Sequence, residues 1–253
     1  MQANPLPERL AVAGKYLNML IEVWTDVVCP FCYVGKRELA SALEDFAYAD
    51  EVEVVFKSFE LDQSAATEGE EVTEHLMRKY GLSPAQVAAQ NEQLAARAAE
   101  AGLTFNWRQA RSANTLDAHR LIKLAGTQGL AGQATDLLMK AFFTDGQVVS
   151  DRDVLVSIGA ELGLDGDRVG QLLDGVEFAE EVHADQAEAG RYGITGVPFF
   201  LFEGQWAVSG AQPAELFLDA LEQVWAETHQ AQFITLAEGS GGSCGCGGCG
   251  CGS

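Results

Sequence analysis

Two cysteines separated by two residues, Cys29-Pro30-Phe31-Cys32, stand where a strand-like run (Leu20 to Val28) gives way to a helix-like one (Val34 to Phe46). This junction restricts the fold more than any other feature of the chain. A thiol at the start of a helix lies against the positive end of the helix dipole, which favours its thiolate. The thiolate is the form that attacks disulfides, and a pair at this spacing can close and reopen with little backbone movement. The same spacing would also serve as half of a zinc site, which needs two further ligands. His75, His119, His183 and His229 are scattered, and none lies within a few residues of a cysteine. Redox chemistry is therefore the expectation, with no metal.

The order of patterns around the pair sets the architecture. Residues 51–57 are rich in β-branched side chains and read as a second strand, so the first sixty residues hold a βαβ unit. From about residue 65 to 190 the period becomes helical almost throughout. Ser83-Pro84 opens one helix, with Gly102 placed to end it. Ser150 with Asp153 resembles a capping box ahead of Val154 and Leu155. Strand character returns in Val197 to Phe202, followed by a tight turn at Glu203-Gly204, a partner strand from Gln205 to Ser209, and a last helix after Gln212-Pro213. The class is α/β, a thioredoxin fold (βαβ, then ββα) with a large all-helical insertion. Its parts are an N-terminal arm (1–18), a first half (19–64), the insertion (65–190), a second half (191–236) and a Gly/Cys tail (237–253).

On these residues the chain resembles the DsbA-like thioredoxin superfamily, and within it the FrnE branch, related to 2-hydroxychromene-2-carboxylate isomerases and kappa-class glutathione transferases. The resemblance rests on Asp26 to Gly35, Phe59-Glu60-Leu61-Asp62, Asp117-Ala118-His119-Arg120-Leu121, Gly196-Val197-Pro198-Phe199-Phe200 and Ser209-Gly210-Ala211-Gln212-Pro213. It implies that Cys29 is an exposed nucleophile and Cys32 a buried resolving thiol. It also implies that Pro198 is a cis-proline facing the pair, with Val197 offering its backbone to an extended substrate. Trp24 and Phe31 are expected to form an apolar rim that grips unfolded chains. His119 reads as a packed or capping histidine, and Glu60 equally as a buried acid near Cys32 or as a residue at the surface or a strand edge.

The remaining cysteines, Cys244, Cys246, Cys249 and Cys251, crowd the last ten residues, and none lies between Cys32 and Cys244. A secreted disulfide scaffold would spread its cysteines through the fold. The tail reads as an auxiliary thiol pair exchanging with Cys29-Cys32, as a soft-metal binder, or as an incidental end. Residues 1–18 lack a signal-peptide core, and no apolar run approaches membrane-spanning length. With a net charge of -21, the surface repels phosphate backbones and anionic lipid, so neither nucleic acid nor membrane is an expected partner. The expected location is cytoplasmic.

The function that follows is thiol-disulfide oxidoreductase and isomerase, acting on disulfide-containing or unfolded proteins. No cofactor is expected beyond the redox-active pair, with glutathione or a thioredoxin-type protein as reductant. Pro30 and Phe31 bring no positive charge to the Cys29 sulfur, which suits reduction or isomerisation better than strong oxidation. Two other classes stay open: a glutathione-dependent isomerase or transferase of the kappa type, and a chaperone or metal-buffering protein.

Overall fold

The computed structural model describes residues 18–237. Its main sheet has the order β2-β1-β5-β6. Strand β1 (Met19–Thr25) runs parallel to β2 (Val52–Ser58), in a register that sets Met19 opposite Val52 and Thr25 opposite Ser58. Strand β5 (Phe199–Phe202) pairs antiparallel to β1, and β6 (Trp206–Ser209) pairs antiparallel to β5. The loop between β5 and β6 puts Glu203 and Gly204 at φ 50° and 67°, the left-handed pair that a tight hairpin needs.

Alternation along β1 sorts its side chains between two cores. Met19, Ile21 and Val23 face α1 (Pro30–Asp45) and α9 (Ala214–Ala237), meeting Leu39, Phe200, Phe202, Phe217 and Leu221. Trp24 faces the other side, where it joins Ala189, Ile194 and Leu201. That second face is covered by α8 (Ala179–Arg191), the last insertion helix. Polar contacts fasten it: Trp24 Nε1 donates to the Asp185 carbonyl at 3.0 Å, and the Ser58 N–H donates to Asp185 Oδ2 at 2.8 Å. Lys57 adds an ion pair to Glu188 at 2.8 Å.

The insertion continues through α2 (Val72–Tyr80), α3 (Pro84–Glu100), α4 (Leu116–Gly126), α5 (Ala131–Phe143), α6 (Arg152–Glu161) and α7 (Gly166–Asp174). Ser83 caps α3 as its sequence implies, in a full capping box with Gln86, and Gly102 takes φ +74° beyond the end. Two features differ from the sequence reading. A short antiparallel ladder, β3 (Glu70–Glu71) with β4 (Arg111–Ser112), interrupts the helical stretch. The cap of α6 is Asp151, whose carboxylate accepts the N–H groups of Asp153 and Val154, while Ser150 turns its hydroxyl to the Thr67 carbonyl. Both residue types cap helices, and the tertiary bond to Thr67 decides between neighbours.

The insertion does not stand apart from the cysteine pair. Cys29, Cys32, Tyr33 and Val34 belong to the same buried cluster as Leu121, Leu138, Phe142 and Phe143. The first turn of α1 thus packs on the insertion, and its later turns pack on the sheet. Gly35 is where α1 comes closest to the Pro198 loop: a Cβ there would lie 3.0 Å from Pro198 Cγ and 3.3 Å from the Ala211 Cα. Gly35→Val is expected to lower stability by ~1–3 kcal/mol through overpacking. Urea unfolding measures this, and a midpoint equal to wild type would refute the close approach.

Candidate active site

The chain leaves β1 at Thr25 and turns through Asp26, Val27 and Val28, with the Cys29 N–H donating to the Asp26 carbonyl at 3.1 Å. Cys29 is the N-cap of α1, in extended geometry, and Pro30 fills the first helical position, where no N–H is needed. The Cys29 Sγ accepts the Cys32 N–H at 3.4 Å, the contact that a serine or aspartate makes at an ordinary cap. The sulfur therefore stands at the N-terminal end of the helix, and no acidic residue sits in the first turn. Cys32 lies inside that turn.

The expectation of an exposed nucleophile is corrected. Cys29 is only 3% exposed and Cys32 1%. The Cys29 thiol lies 3.5 Å from the Val197 carbonyl, which covers it from the second half of the fold, and the Val197–Pro198 bond is cis. What remains open to Cys29 is a cavity of about 530 Å³ whose wall includes Cys29, Gly196, Val197 and insertion side chains. Phe31 stands at its edge, 43% exposed. Trp24, expected beside Phe31 on the rim, is fully buried under α8 and takes no part in the cavity wall. The β1 alternation sends it to the face opposite α1, and its indole N–H finds a carbonyl there.

Burial pushes the Cys32 thiol well above its usual range, and the neighbouring Cys29 pushes it further. The Thr25 hydroxyl and the Asp26 backbone act the other way. Thr25 is buried, and its hydroxyl has no conventional hydrogen-bond partner among the described residues. As a donor it favours the thiolate form of Cys32. Thr25 went unremarked in the sequence because a threonine ending a strand is ordinary.

Behind the pair lies a buried polar knot. Asp26 Oδ2 accepts the Leu61 N–H at 2.8 Å, and Oδ1 faces His119 Nε2 at 3.4 Å. His119 is 1% exposed on α4, buried as its apolar setting implies, yet aimed at a carboxylate. Glu60, also buried, has its carboxyl pushed up by desolvation, an effect that His119 opposes and Asp26 reinforces. Asp26, Glu60 and His119 come from three separated sequence segments, and the fold brings them together. Among the described residues, no three His, Cys, Asp or Glu side chains gather closely enough to share a metal ion. Cys244, Cys246, Cys249 and Cys251 lie outside the described residues.

A family model for the DSBA-like thioredoxin domain matches residues 20–222. The chain belongs to the DSBA-like thioredoxin family. A probable DsbA oxidoreductase from Streptomyces coelicolor is 42% identical, with a TM-score of 0.79 over 83% of this chain and 91% of its own. The uncharacterised protein YwbO of Bacillus subtilis (strain 168) is 26% identical over 81% of this chain and 96% of its own. A 2-hydroxychromene-2-carboxylate isomerase shares the fold at 14% identity, with a TM-score of 0.63 over 84% of this chain and 98% of its own.

In this DSBA-like domain burial opposes ionisation of Cys32, and the Thr25 hydroxyl is the side chain that favours it. Thr25→Val keeps the shape and removes the donor. It is expected to slow release of a chromogenic thiol from a Cys29 mixed disulfide by about tenfold, the scale of one hydrogen bond to a charged acceptor. The initial attack by Cys29 should be unchanged in the same stopped-flow trace. An unaltered release rate would show that the hydroxyl plays no such part.

Proposed function

We propose that this protein is a thiol-disulfide oxidoreductase with isomerase capacity, working by thiolate exchange at Cys29-Cys32. The observation that carries the reading is a thiol placed as the N-cap of α1 on a cavity wall, with a second thiol one turn inside. Cys29 attacks one sulfur of a substrate disulfide, and the other sulfur leaves as a thiol. Cys32 then attacks the Cys29 sulfur, releasing the second substrate thiol and leaving the pair oxidised. Attack by another thiol of the substrate instead would rearrange its disulfides. Proteins with accessible disulfides, unfolded ones above all, are the proposed partners, and Val197 the backbone that an extended segment meets. Glutathione or a thioredoxin-type protein would return the pair to the dithiol.

The proposed compartment is the cytosol, in keeping with a described fold whose two cysteines are free thiols at one site and staple nothing elsewhere. No helix among the described residues is long and apolar enough to cross a membrane. The FrnE branch is the proposed position within the family. The tail cysteines are proposed as a tethered pair that exchanges with Cys29-Cys32, since tethering raises effective concentration without new contacts.

Cys29→Ser is expected to abolish insulin reduction, and Cys32→Ala to accumulate mixed disulfides through Cys29 that non-reducing gels reveal. Retained turnover in Cys29→Ser would refute the assignment. Because the Cys32 thiol is pushed up, its thiolate is scarce at neutral pH and grows with alkalinity. The resolving step is expected to quicken about tenfold per pH unit from pH 6 to 8, and a flat profile would contradict it. Removing residues 238–253 should slow turnover if the tail exchanges with the pair, and unchanged turnover would dismiss that role.

A further inference from the structure

The cavity beside Cys29 has a definite volume, and its ≈ 530 Å³ falls within the range of small-molecule sites. Val72, Leu76, Leu94, Phe105, Phe142 and Phe143 supply an apolar wall. At the mouth, Phe31, Leu61 and Tyr80 are 43%, 38% and 60% exposed, so apolar surface continues outward to solvent.

One polar feature within this wall has no structural explanation. Asn91, on α3, is 3% exposed, and its amide nitrogen has no hydrogen-bond partner among the described residues. A buried donor left unpaired is costly, and Asn91 is one of the residues that line the cavity. Two charged side chains on the wall have partners of their own: His75 contacts Glu70, and Lys79 donates to the Leu61 carbonyl and lies 3.6 Å from Asp62. Asp26 and Asp62 add negative charge to a protein that already carries -21, so an anionic ligand is disfavoured.

We infer that the cavity is a substrate site for uncharged low-molecular-weight disulfides. Their apolar body lies against α2, α3 and α5, and a carbonyl or ether oxygen accepts a hydrogen bond from Asn91. This activity is additional to exchange with polypeptides and rests on the same Cys29-Cys32 chemistry. The dithiol gives two electrons and two protons to the bound disulfide: its S–S bond breaks, two small thiols leave, and the Cys29–Cys32 bond forms. Asn91 acts on binding and selectivity, away from the sulfurs.

Single-turnover oxidation of the reduced, full-length protein tests this without any added reductant. The probes are 4-acetylbenzyl 2-hydroxyethyl disulfide, its 4-isopropylbenzyl analogue, bis(2-hydroxyethyl) disulfide and glutathione disulfide. The acetylbenzyl probe is expected to saturate at a concentration at least about tenfold below that for bis(2-hydroxyethyl) disulfide, as apolar burial requires. It should also lie about fivefold below its isopropyl analogue, the scale of one hydrogen bond. Asn91→Leu should erase the difference between the benzyl pair. If the benzyl probes show no preference over the hydroxyethyl or glutathione disulfides, the inference fails while the exchange chemistry stands. A benzyl difference that persists in Asn91→Leu also overturns it. If no probe oxidises the pair, the exchange reading itself falls, and this inference with it.

Discussion

Desolvation acts on the cysteine pair from two sides, and most of the molecule's functional design follows from that. Burying a thiol opposes its ionisation, whereas disulfide exchange requires ionisation. The fold answers differently for each sulfur. Cys29 is set at the helix start, where its sulfur accepts the Cys32 N–H as a capping side chain does. Cys32 sits one turn deeper, where only the Thr25 hydroxyl and the Asp26 backbone relieve an otherwise apolar surrounding. The proposed division of labour, attack by Cys29 and resolution by Cys32, rests on these two settings.

That depth is created by the insertion as much as by the thioredoxin framework. α1 is shared between two cores, its first turn lying against α4 and α5 and its remainder against the sheet and α9. The Arg97 guanidinium of α3 donates to the Ala211 carbonyl, tying the insertion to the segment after β6. The cavity at Cys29 is the space left where these bodies meet around Val197. Its chemistry is a property of the seam, and neither half would present it alone.

Much of the architecture was legible from local signals. Strand alternation in β1, the β-branched run of β2, the Glu203-Gly204 turn and the Ser83-Pro84 start are encoded within a few residues, so their reading survives in the structure. The reading failed where a distant contact chose between locally equivalent outcomes. Trp24 could face a rim or a core, and the approach of Asp185 made it core. Ser150 and Asp151 could each cap α6, and the Thr67 carbonyl drew the serine away. His119 was legible as a packed side chain, but nothing near it in sequence pointed to Asp26.

The chain alone specified the reactive chemistry: two thiols at a strand-to-helix junction, a proline-bearing loop, and an order of elements that closes as βαβ and ββα around a helical body. These depend on spacing and periodicity, which are local. Tertiary structure alone decided how covered Cys29 is, which buried groups face Cys32, and that Asn91, its amide nitrogen unpaired among the described residues, lines an apolar cavity beside Cys29. Exposure and pairing depend on what arrives from elsewhere in the chain. Residues separated by scores of positions meet only when two cores pack against one helix.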